Sequence, residues 1–284
     1  MKLAGFVVHP GRGAATVAAD GLVRWLDDRG IESRWFHEGP PDEDAAVGAF
    51  VDGLDLVVSV GGDGTFLRAA RIAWRGGLPV LGVKVGRVGF LTEVEPENAP
   101  TVLQRFIEGS ARIEERMAVL AEPVGGPPFE PQWALNEIMV EKRARNRIVR
   151  LAVFVDDVYV TTFSADAVIV ATPTGSTAYS FSAGGPIVTP TVPCLVVTPV
   201  AAHMVFDRSL VLAADERVTL EVVGEEEGLI AADGRESLEL PIGARVRIGC
   251  AHDGARLVRR DDAPPFLELL RAKFGLPGDD GAVS

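Results

Sequence analysis

Residues 57–70, VVSVGGDGTFLRAA, constrain the fold more than any other stretch of the chain. An apolar run ends directly in Gly61, Gly62, Asp63 and Gly64, and a helical pattern starts with no loop between. Apolar residues without alternation mark a strand covered on both faces, as in a parallel sheet. A strand that passes at once into a helix is half of a βαβ unit. The neighbouring segments agree. LAGFVV (3–8) is another continuous apolar run, ESRWF (32–36) a short strand candidate, and LPVLGV (78–83) a further strand. Between the first two, residues 14–30 place Val17, Leu22, Trp25 and Leu26 at roughly helical spacing and stop at Gly30, a C-capping residue. This order predicts an α/β domain with a doubly wound, Rossmann-like parallel sheet. Its ligand belongs beyond the carboxyl ends of the strands, where Gly61 to Gly64 lie.

A helix near 97–108 closes this half, and the texture then changes. From about 111 to 262 short β-rich segments alternate with turns, among them IVRLAVFVDDVYVTTFS, AVIVATP, RVTLEVV and RVRIGC. Residues 148–164 read as a hairpin with Asp156 and Asp157 at its turn. PPFLELLRAKFG (264–275) reads as a terminal helix. The expectation is an α/β nucleotide-binding domain over 1–100, a β-rich, β-sandwich-like domain over 101–262, and a C-terminal helix and tail over 263–284 that return to the first domain.

Charge narrows the classes of partner. The net charge of −12 argues against a nucleic-acid binder, which normally carries a net basic domain. It does not exclude a phosphate held in a local basic pocket. No run approaches the length of about 18 apolar residues needed to span a membrane, and the opening MKLAGFVVHPGRG lacks the apolar core of a signal peptide. Cys194 and Cys250, far apart in apolar surroundings, read as two buried thiols of a reduced, cytoplasmic protein.

Glycine takes positive φ and lets backbone approach a ligand with no Cβ in the way. Three glycines around one aspartate at a strand-to-helix junction make a phosphate cradle, helped by the positive end of the helix dipole. A carboxylate beside a phosphate repels it, so a mere cradle does not call for one. Asp63 makes sense as the base for a hydroxyl that attacks the phosphate, or as the holder of a metal that screens it. The competing reading is a tight turn with Asp63 as helix N-cap, and the turn alone does not choose between them.

Two further stretches add weight. LNEIMVEKR (135–143) sets Asn136 and Glu137 at the start of a strand, where neighbours point to opposite faces and one can meet a ligand while the other supports it, although the pair alone reads as a turn before it reads as a site. ATPTGSTAYSFSAGGPIVTP (171–190) is dense in hydroxyls, glycines and prolines directly after the apolar strand DAVIV. That density suits a ligand rich in oxygens, and Tyr179 can stack on a base or ribose.

In this order and spacing, Gly61-Gly62-Asp63-Gly64-Thr65, Asn136-Glu137 and Thr174-Gly175-Ser176-Thr177-Ala178-Tyr179 resemble the NAD kinase family. SAGGPIV (182–188), Asp166 and ADGR (232–235) match as well, and the likeness covers nearly the whole chain. The glycine–aspartate turn is shared with diacylglycerol and sphingosine kinases; the other two motifs narrow the resemblance to NAD. It implies transfer of the γ-phosphoryl group of ATP to the 2′-hydroxyl of the adenosine ribose of NAD, giving NADP, with a divalent metal, Mg²⁺, arriving with ATP. No His/Cys cluster has metal-ligand spacing, so no protein metal site is expected. The resemblance also implies a homodimer or homotetramer.

By that resemblance Asp63 is the general base, Gly64 lets the backbone approach the dinucleotide, and Arg68 contacts phosphate. Asn136 and Glu137 grip the ribose and amide region, Arg147 contacts NAD, and Asp166 holds the second half of the dinucleotide. Thr177, Ala178, Tyr179, Ser180 and Ser182 line the adenosine pocket. Arg235 touches NAD from the β-rich domain or from a neighbouring subunit. His9 and the loop 10–13 face the nucleotide phosphates, whereas His37 and His203 read as structural. Several bacterial relatives carry Arg where this chain has Ser164, which leaves the preference for NAD or NADH, and for phosphoryl donor, open. A superfamily kinase with a lipid or NADH as acceptor, and a dinucleotide-binding regulator without turnover, are the alternatives. The chain has no basic amphipathic helix suited to a lipid surface, and a pure binder gains little from Asp63.

Overall fold

The computed structural model describes residues 1–36, 43–86, 89–126, 128–235 and 238–277, with the side chains of residues 43 and 44 also outside the description. His37 lies outside the described residues. The chain divides into two compact units, Met1–Glu115 with Ala255–Ser284, and Arg116–Gly254.

The first unit is built on one six-stranded sheet. Its elements are β1 (Leu3–Val8), α1 (Gly13–Asp27), β2 (Glu32–Phe36), α2 (Glu43–Val51), β3 (Leu56–Gly61), α3 (Asp63–Arg75), β4 (Pro79–Lys84), α4 (Ala99–Ile107) and β5 (Arg112–Arg116). The strand order is β2-β1-β3-β4, followed by a late strand from the end of the chain and then β5. β1 pairs in parallel with both β2 and β3, and β3 with β4. Every residue of β3 is buried, as its unbroken apolar run requires. Because the chain leaves β1 for β2 on one side and returns to β3 on the other, a crevice opens beyond the carboxyl ends of β1 and β3.

Helix α1 buries Ala15, Ala19, Leu22 and Leu26 along one face and leaves Val17 exposed. Of the expected apolar face, Leu22 and Leu26 are buried and Trp25 packs against the same core, while Val17 falls outside it. Ala15 and Ala19 fill the first turns of the face instead, where their small side chains allow close helix–sheet approach. Helix α2 was not anticipated from the sequence. Its residues are apolar on all sides without a clear stripe, so no period marks it.

The second unit holds two antiparallel sheets. The elements are β6 (Val119–Pro123), β7 (Gln132–Ala134), β8 (Glu137–Lys142), β9 (Val149–Val155), β10 (Val158–Ala165), β11 (Ala167–Ala171), a 3₁₀ turn (Gly175–Thr177), α5 (Tyr179–Ser182), β12 (Cys194–Val200), β13 (Leu210–Ala213), β14 (Val218–Val223), β15 (Gly228–Ala232), β16 (Leu238–Leu240) and β17 (Arg245–Cys250). One sheet runs β10-β9-β14-β17-β6-β7 and the other β13-β12-β11-β8-β15-β16. Residues from both, such as Val153 and Leu220 on one and Val140 and Val170 on the other, share one core, the arrangement of a sandwich. Asp156 and Asp157 both take positive φ, 46° and 66°, as a tight two-residue hairpin turn demands.

The chain then returns to the first unit through β18 (Ala255–Arg259), which pairs in parallel with β4, and α6 (Phe266–Phe274). The first unit thus takes in α4, β5 and β18, a wider share of the chain than the 1–100 expected for it. The two cysteines are free; Cys194 is buried, but Cys250, the last residue of β17, is exposed, so the expectation of two buried thiols fails at a strand end.

Candidate functional site

In the first unit the crevice between β1 and β3 is a cleft of about 440 Å³. The chain after β1 lines it with His9, Pro10 and Arg12, and the start of α3 with Gly62 to Thr65 and Arg68. The amide of His9 donates to Val60 O at 3.0 Å, tying the two strand ends together. Arg12 donates to Val85 O at 3.0 Å, and the Arg68 guanidinium stands 5.2 Å from the centre of the Phe36 ring. His9 Nδ1 is buried without a hydrogen-bond partner.

The turn itself differs from expectation in two ways. Gly61, Gly62 and Gly64 all avoid positive φ. Gly61 is required by space instead, because a Cβ there would come 2.5 Å from Thr65 Oγ1. The N-cap of α3 is Gly62, not Asp63, and it has no side chain to cap with. The first amide groups of α3 are therefore left for an anion, while the Asp63 side chain is turned elsewhere.

It is turned into the loop 89–92. Oδ1 of Asp63 accepts hydrogen bonds from the amides of Leu91 and Thr92, both at 3.2 Å, and from the Thr92 hydroxyl at 3.1 Å. Oδ2 accepts one from the amide of Phe90 at 2.8 Å. Only glycine fits at position 89, since a Cβ there would lie 1.8 Å from Oδ1. Lys273 of α6 completes the surroundings, with Nζ 3.9 Å from Oδ2. Oδ1 has its acceptor capacity filled; Oδ2 keeps a lone pair. The arrangement presents one oriented carboxylate oxygen beside an uncapped helix start and two arginines, which suits proton abstraction next to a phosphate.

In the second unit, Asn136 and Glu137 stand at the start of β8. The carboxylate of Asp233 gathers this turn. Its Oδ2 accepts from the amide of Leu135 at 2.8 Å, and its Oδ1 from Asn136 at 2.8 Å and Glu137 at 3.1 Å. Asp233 sits at φ 50°, the left-handed conformation that an Asp-Gly pair tolerates. Burial, with the Asp233 charge adding to it, pushes the Glu137 carboxyl up to about 8 against the amide of Tyr179, which pulls it down. Burial raises Asp233 too, although three amide donors and Arg235 oppose it. Glu137 Oε2 is buried without a partner.

The hydroxyl-rich loop spends much of its polarity on itself. Thr172 Oγ1 donates to Leu135 O at 2.6 Å, Ser176 Oγ to Pro173 O at 2.7 Å, and Thr177 Oγ1 to Thr174 O at 3.2 Å. Ser180, Thr198 and Ser209 form a hydroxyl chain with 3.0 Å links. These bonds make the loop rigid and leave Tyr179 and Ser182 exposed, with Thr177 and Ala178 half-buried. Asp166 pairs with Lys142 at 2.6 Å. Arg235 is wired to the carbonyls of Ala232 and Trp133 at 3.0 and 2.8 Å. Arg147 lies on the surface of this unit, 3.5 Å from Glu226, and Arg143 pairs with Glu227 and Glu239. His203 donates its amide to Ser164 O at 2.9 Å.

Sequence reasoning missed Thr92, Asp233 and Lys273. The Asp-Gly pair at 233–234 is a turn signal that, lying in the quoted ADGR, was available. Nothing local marks the other two. Among the described residues no group of three His, Cys, Asp or Glu side chains could hold a metal ion.

Comparison with known proteins decides the family. Residues 34–111 match the model of the ATP-NAD kinase N-terminal domain, and residues 135–260 that of the ATP-NAD kinase C-terminal domain. The NAD kinase of Rhodococcus jostii strain RHA1 is 42% identical over 295 residues, covering 95% of this chain and 92% of that one.

The chain belongs to the NAD kinase family.

NAD kinase 2 of Streptomyces coelicolor is 39% identical over 282 residues, covering 95% of this chain and 93% of its own. Among solved structures, an NAD kinase from Archaeoglobus fulgidus in complex with ATP is 27% identical with a TM-score of 0.74, covering 97% and 98% of the two chains. Yeast NADH kinase complexed with NADH superposes with a TM-score of 0.88 at 21% identity, covering 100% of this chain and 90% of that one; it shares the fold. The two NAD kinase domain matches include Asp63, the loop 89–92, Asn136, Glu137 and Asp233; His9, Arg12 and Lys273 lie outside both.

Proposed function

We infer that this protein transfers the γ-phosphoryl group of ATP to the 2′-hydroxyl of the adenosine ribose of NAD, releasing NADP and ADP. The observation that carries the reading is the Asp63 carboxylate, held at the strand crevice with one oxygen filled and the other open. Asp63 Oδ2 takes the proton of the 2′-hydroxyl as that oxygen bonds to the γ-phosphorus. The bond from phosphorus to the bridging oxygen breaks, and ADP leaves with the electron pair. General-base help is worth roughly 10² to 10⁴ in rate, and positioning and charge neutralisation supply the rest.

The first unit supplies this chemistry. Gly64 and the other uncapped residues at the start of α3, with Arg12, Arg68 and His9, receive the donor phosphates. ATP enters as its Mg²⁺ complex, the ion screening the phosphate oxygens. The second unit supplies the dinucleotide contacts, through Asn136, Glu137, Asp166, Arg235, Thr177, Ala178, Tyr179 and Ser182, whereas Ser180, fully buried with its hydroxyl on that of Thr198, braces the loop instead of meeting the ligand as expected. Arg147 joins them once its surface pair with Glu226 opens.

The working form is a cytoplasmic homodimer or homotetramer, as the family likeness suggests. Among the described residues no helix is long and apolar enough to cross a membrane. A net charge of −12 disfavours nucleic-acid partners. The test is NADP formation by purified protein with ATP, Mg²⁺ and NAD, run beside NADH and a lipid acceptor. NADP from NAD is expected; turnover of the lipid alone, or NAD binding without turnover, contradicts the reading. Light scattering on the same sample reads the oligomer.

A further inference from the structure

Helix α6 is an odd attachment. None of its nine residues is buried, and a free helix of that length is marginal in water. What ties it down is Phe90. The rings of Phe266 and Phe274 each stand 6.3 Å from the Phe90 ring, and Lys273 Nζ lies 4.8 Å from its centre. The amide of Phe90 in turn donates to Asp63 Oδ2, the oxygen that Lys273 Nζ approaches to 3.9 Å. The helix is therefore fastened to Phe90, whose amide holds the open oxygen of Asp63, and it carries a cation to that oxygen.

A simpler account is that Lys273 only complements the negative end of the α6 dipole. The geometry speaks against it. The last turn closes on itself, Gly275 taking φ 61° and Leu276 donating its amide to Arg271 O at 3.0 Å, while Lys273 runs across Phe90 towards Asp63. Arg271, in the same last turn, is there for the dipole. The pair with Asp63 contributes little to stability either, since both side chains are about one-third exposed.

We propose that Lys273 is a positioning residue for phosphoryl transfer, which with the Phe266–Phe90–Phe274 cluster fixes Asp63 Oδ2 towards the hydroxyl it deprotonates. The proposal rests on Asp63 being the base. Among the described residues Oδ1 receives three donors but Oδ2 a single amide, so the carboxylate is held less firmly at Oδ2. The ammonium group, 3.9 Å from Oδ2, supplies the second restraint. Lys273 of α6 then acts on the catalytic carboxylate, although it lies outside both matched domain regions.

The test uses the full-length protein and three variants. Lys273→Met keeps the stem over Phe90 and removes the charge, Lys273→Arg restores a charge, and Arg271→Met removes a neighbouring exposed charge. Lys273→Met is expected to lower kcat about 10- to 100-fold, the scale of a misplaced catalytic group, with KM for NAD and ATP within about threefold. Lys273→Arg recovers most of kcat, Arg271→Met matches the unmodified protein, and all melt within a few degrees of it. An unmodified protein that forms NADP beside an equally fast Lys273→Met overturns this proposal alone. So does an Arg271→Met as slow as Lys273→Met, or a Lys273→Arg with no recovery. An unmodified protein that forms no NADP overturns the kinase reading and the proposal with it.

Discussion

Thr92 is joined to Asp63 twice, its amide and its hydroxyl both donating to Oδ1, at 3.2 and 3.1 Å. Thr92 is fully buried, so this double contact is shielded from competing water. It sets the plane of the carboxylate and leaves the other oxygen to meet a substrate.

Removing the hydroxyl tests that arrangement. Thr92→Val keeps the shape and the amide bond but deletes one donor, and should cost about 0.5 to 1.5 kcal/mol of stability, the usual worth of one such bond. Activity should fall more than stability does, because the carboxylate gains freedom. Thr92→Ser, which keeps the hydroxyl, should stay near the parent in both urea unfolding and kcat.

Two glycines in the same neighbourhood should respond in opposite ways. A Cβ at Gly89 would meet Asp63 Oδ1 at 1.8 Å, whereas one at Gly64 meets no atom within 4 Å. Gly89→Ala must push the loop off Asp63, and should lower both melting temperature and kcat. Gly64→Ala should fold as well as the parent, and it loses activity only through the ligand's need for close approach. Thermal melts beside initial rates separate the two.

The carboxyl of Glu137 makes stability depend on pH. Its ordinary value is 4.5, and burial beside Asp233 lifts it to about 8 in the folded chain. Between these values the folded state binds more protons than the unfolded one, so stability is highest below 4.5 and falls as pH rises towards 8. The slope contributed by this one group is at most about 1.4 kcal/mol per pH unit. Urea titrations from pH 5 to 8 should show the decline, and Glu137→Gln, which carries no titrating proton, should flatten it. A stability that rises across this range would contradict the assignment. Asp233→Ala leaves the amides of Leu135, Asn136 and Glu137 without their acceptor. It should destabilise strongly and raise KM for NAD.

Much of this molecule was legible in its sequence, and the illegible parts have common causes. The strand into Gly61 and the Asp156–Asp157 turn were readable because backbone geometry there restricts which residues fit. The face of α1 was read correctly at Leu22, Trp25 and Leu26 but not at Val17, because alanines mark its first turns. Asp63 was picked out by its glycines, yet its partners Thr92 and Lys273 come from loop and helix positions with no local pattern. They lie 29 and 210 residues away along the chain, the difference of the residue numbers. The loop 171–190 was recognised as dense in hydroxyls, but whether a hydroxyl serves a ligand or its own loop depends on geometry. Ser180 shows this, its hydroxyl bound to that of Thr198 at 3.0 Å.

The central claim is that Asp63 is the base of an NAD-phosphorylating enzyme, and Asp63→Ala tests it most directly. Asn would set its amide group against one of the donors of Phe90, Leu91 and Thr92, and Ala leaves those amides without an acceptor, so a thermal melt of each sample accompanies the rate. The measurement is kcat for NADP formation, with NAD affinity taken by calorimetry on the same samples. The account predicts steady NADP formation by the parent, a fall of roughly 10² to 10⁴ in Asp63→Ala, and NAD affinity changed only severalfold. A variant that makes NADP at the parent rate would contradict it.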